Sequence, residues 1–316
     1  MNIADFKSTM NGYMASKEPF VFIIDFEMKK LRIWKVSDVD TGELLFDFNG
    51  MSKTGNASIN PHPIALEDYK IKFNLVMDRL LYGDSFLTNL TIKTKIDSDL
   101  SLRQLFDISK AKYKLWLKDS FLVFSPETFI KIHDGVIFSY PMKGTIDASL
   151  PNAETIILAN QKEMAEHVTI VDLIRNDLSM IAKDVQVTRF RYIDRIRTRD
   201  KELLQVSSEI RGTLLGEFSN DPAGAFLSLL PAGSVSGAPK ERTLGVIRQA
   251  EGEERGYYTG ICGFFDGQTL DTGVMIRFIE QEDGHLYYRS GGGITTQSDV
   301  ISEYKEVQDK IYVPIH

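Results

Sequence analysis

Residues 112–146, KYKLWLKDSFLVFSPETFIKIHDGVIFSYPMKGTI, alternate apolar and polar positions over several short runs. A period of two lines one face of an extended chain with apolar side chains. The block therefore predicts an antiparallel meander. Further strands are predicted at FVFIIDF (20–26), LRIWKV (31–36), GELLFDFNG (42–50), FLTNLTIKTKI (86–96), KELLQVSSEIRGTL (201–214), LDTGVMIRFIE (270–280) and within the basic stretch 185–200. Helical spacing marks 3–16, 64–82 and 160–182, the last with a stripe of Val168, Val171, Ile174, Leu178 and Ile181. LRQLFDI (102–108) predicts a short helix, and residues 51–61 a polar surface loop. Strand runs and helices without regular βαβ alternation predict an α+β fold with large antiparallel sheets in a sandwich flanked by helices.

Composition narrows the function. The chain has 316 residues, 43% of them hydrophobic, and no visible linker. A net charge of −7 argues against nucleic acid or an anionic membrane as partner. No run approaches the roughly 18 apolar residues of a membrane span, and the N-terminus lacks a signal-type apolar stretch. A soluble cytoplasmic protein is expected. The single cysteine, Cys262, rules out an internal disulfide framework and a cysteine metal cluster. The five histidines, His62, His133, His167, His285 and His316, show no ligand or triad spacing; His167 beside Glu166 is read as a bystander.

Residues 231–263, PAGSVSGAPKERTLGVIRQAEGEERGYYTGICG, form a small-residue loop, a helix and a strand-like run. A loop feeding a helix N-terminus is able to hold an anion, and serves equally as a plain structural loop. RSGGGIT (289–295) predicts a second glycine-rich loop, with Gly291, Gly292 and Gly293 free to offer N–H groups. Glu127 follows Ser125–Pro126 at a strand end, and Lys143 precedes a glycine in PMKGT; each also reads as a solvated turn charge. Glu163 and Glu166 share a helix face, as do Glu303 and Glu306. The two pairs are either solvated helix faces or carboxylate donors for one Mg²⁺. Arg277, on an otherwise apolar run, is costly unless paired, which makes it a candidate carboxylate clamp.

Taken together, eight stretches resemble the chorismate-utilising enzymes: anthranilate synthase and aminodeoxychorismate synthase component I, and isochorismate and salicylate synthases. They are GDSFLTNLT (83–91), SPETF (125–129), PMKGT (141–145), AEHVTIVDLIRNDL (165–178), PAGSVSGAPK (231–240), RGYYTGICG (255–263), DTGVMIR (271–277) and GGGITTQSDVISEYKEVQDK (291–310). They keep the family's order over about residues 80–310, and the ordered set is highly specific. The resemblance implies a single chorismate-binding catalytic domain over 1–316, with a shortened N-terminal part, 1–80, packed on it. No tryptophan-binding motif of the feedback-regulated anthranilate synthases is visible there.

The resemblance also implies roles. Lysine in PMKGT is the aminodeoxychorismate synthase form of the motif, where anthranilate synthases usually carry alanine. Lys143 would then attack C2 of chorismate as the C4 hydroxyl leaves, and ammonia would add at C4 and expel it. The attacking amine must be neutral, which calls for partial desolvation. Glu127 would be the general acid. Mg²⁺ would sit on Glu163, Glu166, Glu303 and Glu306. Tyr258 and Arg277 match positions that bind the enolpyruvyl carboxylate, Gly291–Gly293 would help hold the ring carboxylate, and Ser234 and Lys240 are further substrate contacts. Gln205 stands where anthranilate synthases carry a histidine, and Leu87 where isochorismate synthases carry a lysine. Ammonia is expected from a separate glutamine amidotransferase subunit (component II), since neither a glutaminase segment nor a fused lyase is visible. Anthranilate synthase component I and a non-catalytic chorismate-binding subunit are the alternatives.

Overall fold

The computed structural model describes residues 1–197 and 202–315. Residues 198–200 of the predicted basic stretch, Lys201 at the start of the predicted strand 201–214, and His316 lie outside the described residues. Among those described, two antiparallel sheets dominate. The larger runs Met142–Asp147, Glu202–Leu214, Val136–Ser139, Thr128–His133, Thr269–Val274, Ile261–Phe265, Phe20–Ile24 and Leu31–Lys35, with Ala182–Arg197 also paired to Glu202–Leu214. The smaller runs Gly237–Ala238, Leu87–Ser98, His285–Ile294, Phe278–Glu282, Phe121–Ser125, Tyr113–Leu117 and Leu44–Asp47, with Ile59–His62 along Leu87–Ser98.

The core forms in layers because strands show opposite faces to opposite neighbours. Phe20, Phe22 and Ile24 face a cluster shared with Phe6, Met10, Val171, Leu178 and Phe226, under the helices Ile3–Ala15, Gln161–Ser179 and Pro222–Ser228. Val21 and Ile23 face a second cluster with Tyr113, Leu115, Phe121, Val123, Tyr258, Met275 and Phe278, which lies between the sheets. FVFII is thus buried on both faces, which explains a continuous apolar run where one-sided strands alternate. Helices Leu66–Tyr82, Lys240–Glu251 and Val300–Asp309 cover the far face of the smaller sheet through Phe73, Leu90, Ile92, Val246 and Val307.

Several expectations need correction. The predicted meander does not stay in one sheet: Tyr113–Leu117 and Phe121–Ser125 belong to the smaller, and Thr128–His133 and Val136–Ser139 to the larger. The predicted strand 270–280 is two strands, one in each sheet, broken at Met275–Arg277. RSGGGIT is not a loop but the end of strand His285–Ile294. Helix Gln161–Ser179 is preceded by a separate helix, Ala153–Ala159, and Val168 points outward at 47% exposure while Ile170 takes the buried position. The polar stretch 51–61 ends in a strand, Ile59–His62, on the edge of the smaller sheet. Among the described residues no helix is long and apolar enough to cross a membrane.

The 231–240 loop is tighter than its composition implied. It holds one helical turn, Gly233–Ser236, then pairs Gly237 and Ala238 with Thr88 and Leu87. Gly237 has φ +130°, and a Cβ there would lie 1.9 Å from the Leu87 carbonyl oxygen. Gly237→Ala is therefore expected to cost roughly 1–3 kcal/mol or more, read as a lower urea unfolding midpoint. Gly12→Ala, in a helix with nothing within 4 Å of the new methyl, is expected to gain about 0.5–1 kcal/mol. Equal midpoints for the two variants would refute this reading of the loop.

Candidate active site

The chain crosses between the two sheets at 125–128 and again at 274–278. Backbone hydrogen bonds tie the crossings together: Val274 N–H donates to the Glu127 carbonyl at 3.1 Å, and Phe124 N–H to the Arg277 carbonyl at 3.1 Å. Glu127 and Arg277 thus sit side by side in irregular backbone while their flanks stay in rigid sheet. Arg277 has φ +54°, a left-handed conformation that costs a non-glycine residue energy and that recurs at functional sites.

The Glu127 carboxyl is half-buried and accepts a hydrogen bond from Ser234 Oγ at 2.6 Å. Burial lifts its pKa above the ordinary carboxylate range, against the pull of Ser234 and the positive charges of Lys143, Arg277 and Lys310. It therefore keeps its proton to higher pH than an exposed glutamate. Arg277 Nε donates to Tyr312 Oη at 3.4 Å, and its guanidinium lies 5.3 Å from that ring's centre. Tyr258 is buried nearby, with its ring 5.8 Å from Phe278, and burial pushes its hydroxyl up to about 12.

Lys143 reaches the same region from the larger sheet. Its strand pairs with Glu202–Leu214 but slips register between Lys143 and Thr145. Gly144, at φ +78°, absorbs the slip, as a bulge residue does when it re-aims its neighbour. The amine lies 3.6 Å from Glu166 Oε2, and Lys143 is 28% exposed. It also stands 3.7 Å from the point a Cβ on Gly293 would occupy.

Strand His285–Ile294 supplies the floor. Gly291, Gly292 and Gly293 pair with Thr91, Leu90 and Asn89, while the strand on the other side, Phe278–Glu282, pairs only as far as Arg289. Residues 290–294 therefore keep one edge open, and N–H groups alternate between edges. The bare backbone makes room for charge: a Cβ on Gly292 would meet Glu303 Oε2 at 3.3 Å and Glu306 Oε1 at 3.5 Å. One on Gly144 would meet Glu163 Oε2 at 3.1 Å. Leu87 lines the same wall, with Cδ1 3.0 Å from a Cβ on Gly293.

The predicted residues come together unevenly. Glu127, Ser234, Lys143, Glu166, Gly291–Gly293, Glu303 and Glu306 surround one region, with Arg277 and Tyr258 beside it. Lys240 does not join them through any described contact: its amine donates to Asp177 Oδ2 at 3.1 Å and to the Leu229 carbonyl at 2.9 Å. His167 is fully buried against Ser208 Oγ at 2.7 Å, and burial lowers its pKa to about 4, so it is neutral. Sequence reasoning passed over Lys310. Its amine donates to Glu306 Oε1 at 2.6 Å and to the Gly291 carbonyl at 2.7 Å, and burial lowers its pKa. The four-residue step from Glu306 on a helix was the available signal.

As donors for Mg²⁺, the four glutamates are suitable in kind, since hard carboxylate oxygen is what that ion takes. The structure brings Glu303 and Glu306 together at Gly292 and sets Glu166 against Lys143. Among the described residues no three His, Cys, Asp or Glu side chains are gathered as a set able to hold an ion.

Comparison with known proteins gives the family. The family model for chorismate binding enzymes matches residues 52–316. An "uncharacterized PabA-like protein" of Haemophilus influenzae is 50% identical over 314 residues, covering 96% of this chain and 95% of that one. Aminodeoxychorismate synthase component 1 of Klebsiella aerogenes is 30% identical over 266 residues, covering 79% of this chain and 57% of its own length. Among solved structures, anthranilate synthase component I from Streptococcus pneumoniae superposes with a TM-score of 0.67 at 26% identity, over 83% of this chain and 60% of that one. With a matching model over most of its length and a half-identical full-length relative, the chain belongs to the chorismate-binding enzyme family.

Proposed function

We propose that the chain, acting as one catalytic unit, converts chorismate and ammonia to 4-amino-4-deoxychorismate. The observation that carries this reading is the placement of Lys143: its amine lies among Glu166, the Gly293 backbone and, electrostatically, the half-buried Glu127. A lysine in PMKGT that turned out into water would give the reaction no nucleophile.

The Lys143 amine attacks C2 through its lone pair, the two conjugated ring double bonds shift, and the C4–O bond breaks. Glu127 delivers its proton to the departing hydroxyl, which leaves as water. Ammonia then attacks C4, both ring double bonds shift back, and the Lys143 nitrogen leaves C2 with the bonding pair. Ser234 holds the Glu127 carboxyl in place. Arg277 and Tyr258 bind the enolpyruvyl carboxylate, and N–H groups of the Gly291–Gly293 edge bind the ring carboxylate. The Lys240 amine, anchored by Asp177 and the Leu229 carbonyl, is a further substrate contact through its remaining N–H. On donor chemistry alone, Glu163, Glu166, Glu303 and Glu306 would hold Mg²⁺, which when bound would neutralise and orient the ring carboxylate. Ammonia comes from a glutamine amidotransferase partner, and the product feeds p-aminobenzoate and folate synthesis in the cytoplasm.

Incubation of the purified chain with chorismate, Mg²⁺ and ammonium is expected to yield 4-amino-4-deoxychorismate by mass and chromatography. Anthranilate as product would establish the rival activity instead. Lys143→Ala is expected to lose most turnover while chorismate binding survives, and Glu127→Gln to lose roughly a hundredfold to ten-thousandfold in kcat. Full activity of Lys143→Ala would remove the covalent step. Glu166→Gln is expected to abolish the response to Mg²⁺ together with turnover; an unchanged Mg²⁺ titration would refute that ligand assignment.

A further inference from the structure

Arg255 is 1% exposed and lies outside the set of groups assigned to the reaction. All five of its guanidinium N–H donors are used, and they go to different parts of the site wall. Nε and Nη2 clasp the two oxygens of Glu251 at 2.9 and 2.6 Å. Nη1 donates to the Val235 carbonyl at 2.7 Å and to Thr259 Oγ1 at 3.3 Å, and Nη2 to the Asn89 carbonyl at 2.7 Å. Glu251 Oε1 in turn accepts from Thr91 N–H at 2.9 Å and Thr91 Oγ1 at 3.0 Å. The arginine is itself held from behind. Its plane lies 4.6 Å from the Phe26 ring centre, and Glu27 accepts the backbone N–H groups of Arg255 and Gly256 at 2.9 and 3.0 Å.

Each partner is one step from a residue placed in the site. Val235 follows Ser234, which donates to Glu127. Thr259 follows Tyr258. Asn89 and Thr91 pair with Gly293 and Gly291. We infer that Arg255, clasped by Glu251, is a positioning residue that sets the Ser234–Glu127 hydrogen bond and the spacing between that acid and the glycine strand. The inference rests on the proposed role of Glu127 as the acid. Only a planar, five-donor group spans these carbonyls, so lysine is no substitute despite its charge. Removing either partner strands the other in the interior, and a loss of fold is controlled for by measuring kcat per folded molecule.

The test is a double-mutant cycle between Arg255→Lys and Ser234→Ala, read as chorismate consumption whatever the product, with thermal unfolding measured for every variant. Product identity tests the functional reading separately, so the two can fail independently. Arg255→Lys is expected to lower kcat at least about tenfold per folded molecule, with KM moving much less. Ser234→Ala added to it is expected to cost under about twofold more, because the hydrogen bond it removes is already lost. If Arg255→Lys does not fold, Glu251→Gln takes its place in the same cycle. A merely structural arginine would lower the unfolding temperature, leave kcat per folded molecule alone, and let Ser234→Ala act in full. Independent, multiplicative effects, or unchanged kcat in Arg255→Lys, overturn the inference.

Discussion

Two hydrogen-bonded crossings between sheets make the site possible. At 125–128 and 274–278 the chain leaves one sheet for the other, and the crossings bond to each other through Val274 to Glu127 and Phe124 to Arg277. Regular sheet uses up its backbone groups and alternates its side chains between two faces. A crossing is released from that pattern, so Glu127 and Arg277 point where strand residues cannot. Their flanks remain in the sheets, with Phe124, Val274 and Phe278 among the most buried side chains in the protein. Irregular backbone held between rigid elements is how a catalytic group is placed firmly.

Charge is managed by opposition at short range. Glu127 is desolvated with Lys143, Arg277 and Lys310 within electrostatic reach. Lys143 stands against Glu166 and Lys310 against Glu306. Partial burial makes a charged group costly, and here each stands near a neighbour of the other sign. Cations here already stand beside acids, and the glycine strand brings backbone close without side chains in the way.

Much of this was legible in the chain. Period-two alternation marked the strands, and the order of eight short motifs marked the family. Glu127, Lys143 and the two glutamate pairs were named from motif positions, though locally each read equally well as a surface charge. The misreadings have physical causes. The 112–146 meander and the 270–280 strand were read as continuous because apolar periodicity continues through a crossing from one sheet to the next. RSGGGIT was read as a loop because glycine weakens the strand signal, whereas here absent side chains leave space for Glu303, Glu306 and Lys143. Lys240 was placed at the substrate from its motif, and its amine also ties helix Lys240–Glu251 to Asp177.

By itself the amino-acid sequence determined the element types, the antiparallel character of the sheets and the inventory of acids and amines, since these follow from local periodicity and residue chemistry. It left open which of those groups share a neighbourhood. That was decided by the sheet crossings, the bulge at Gly144 and the bonds that Arg255 and Glu251 make to Asn89 and Thr91, because such contacts join residues far apart in the chain and leave no periodic trace along it.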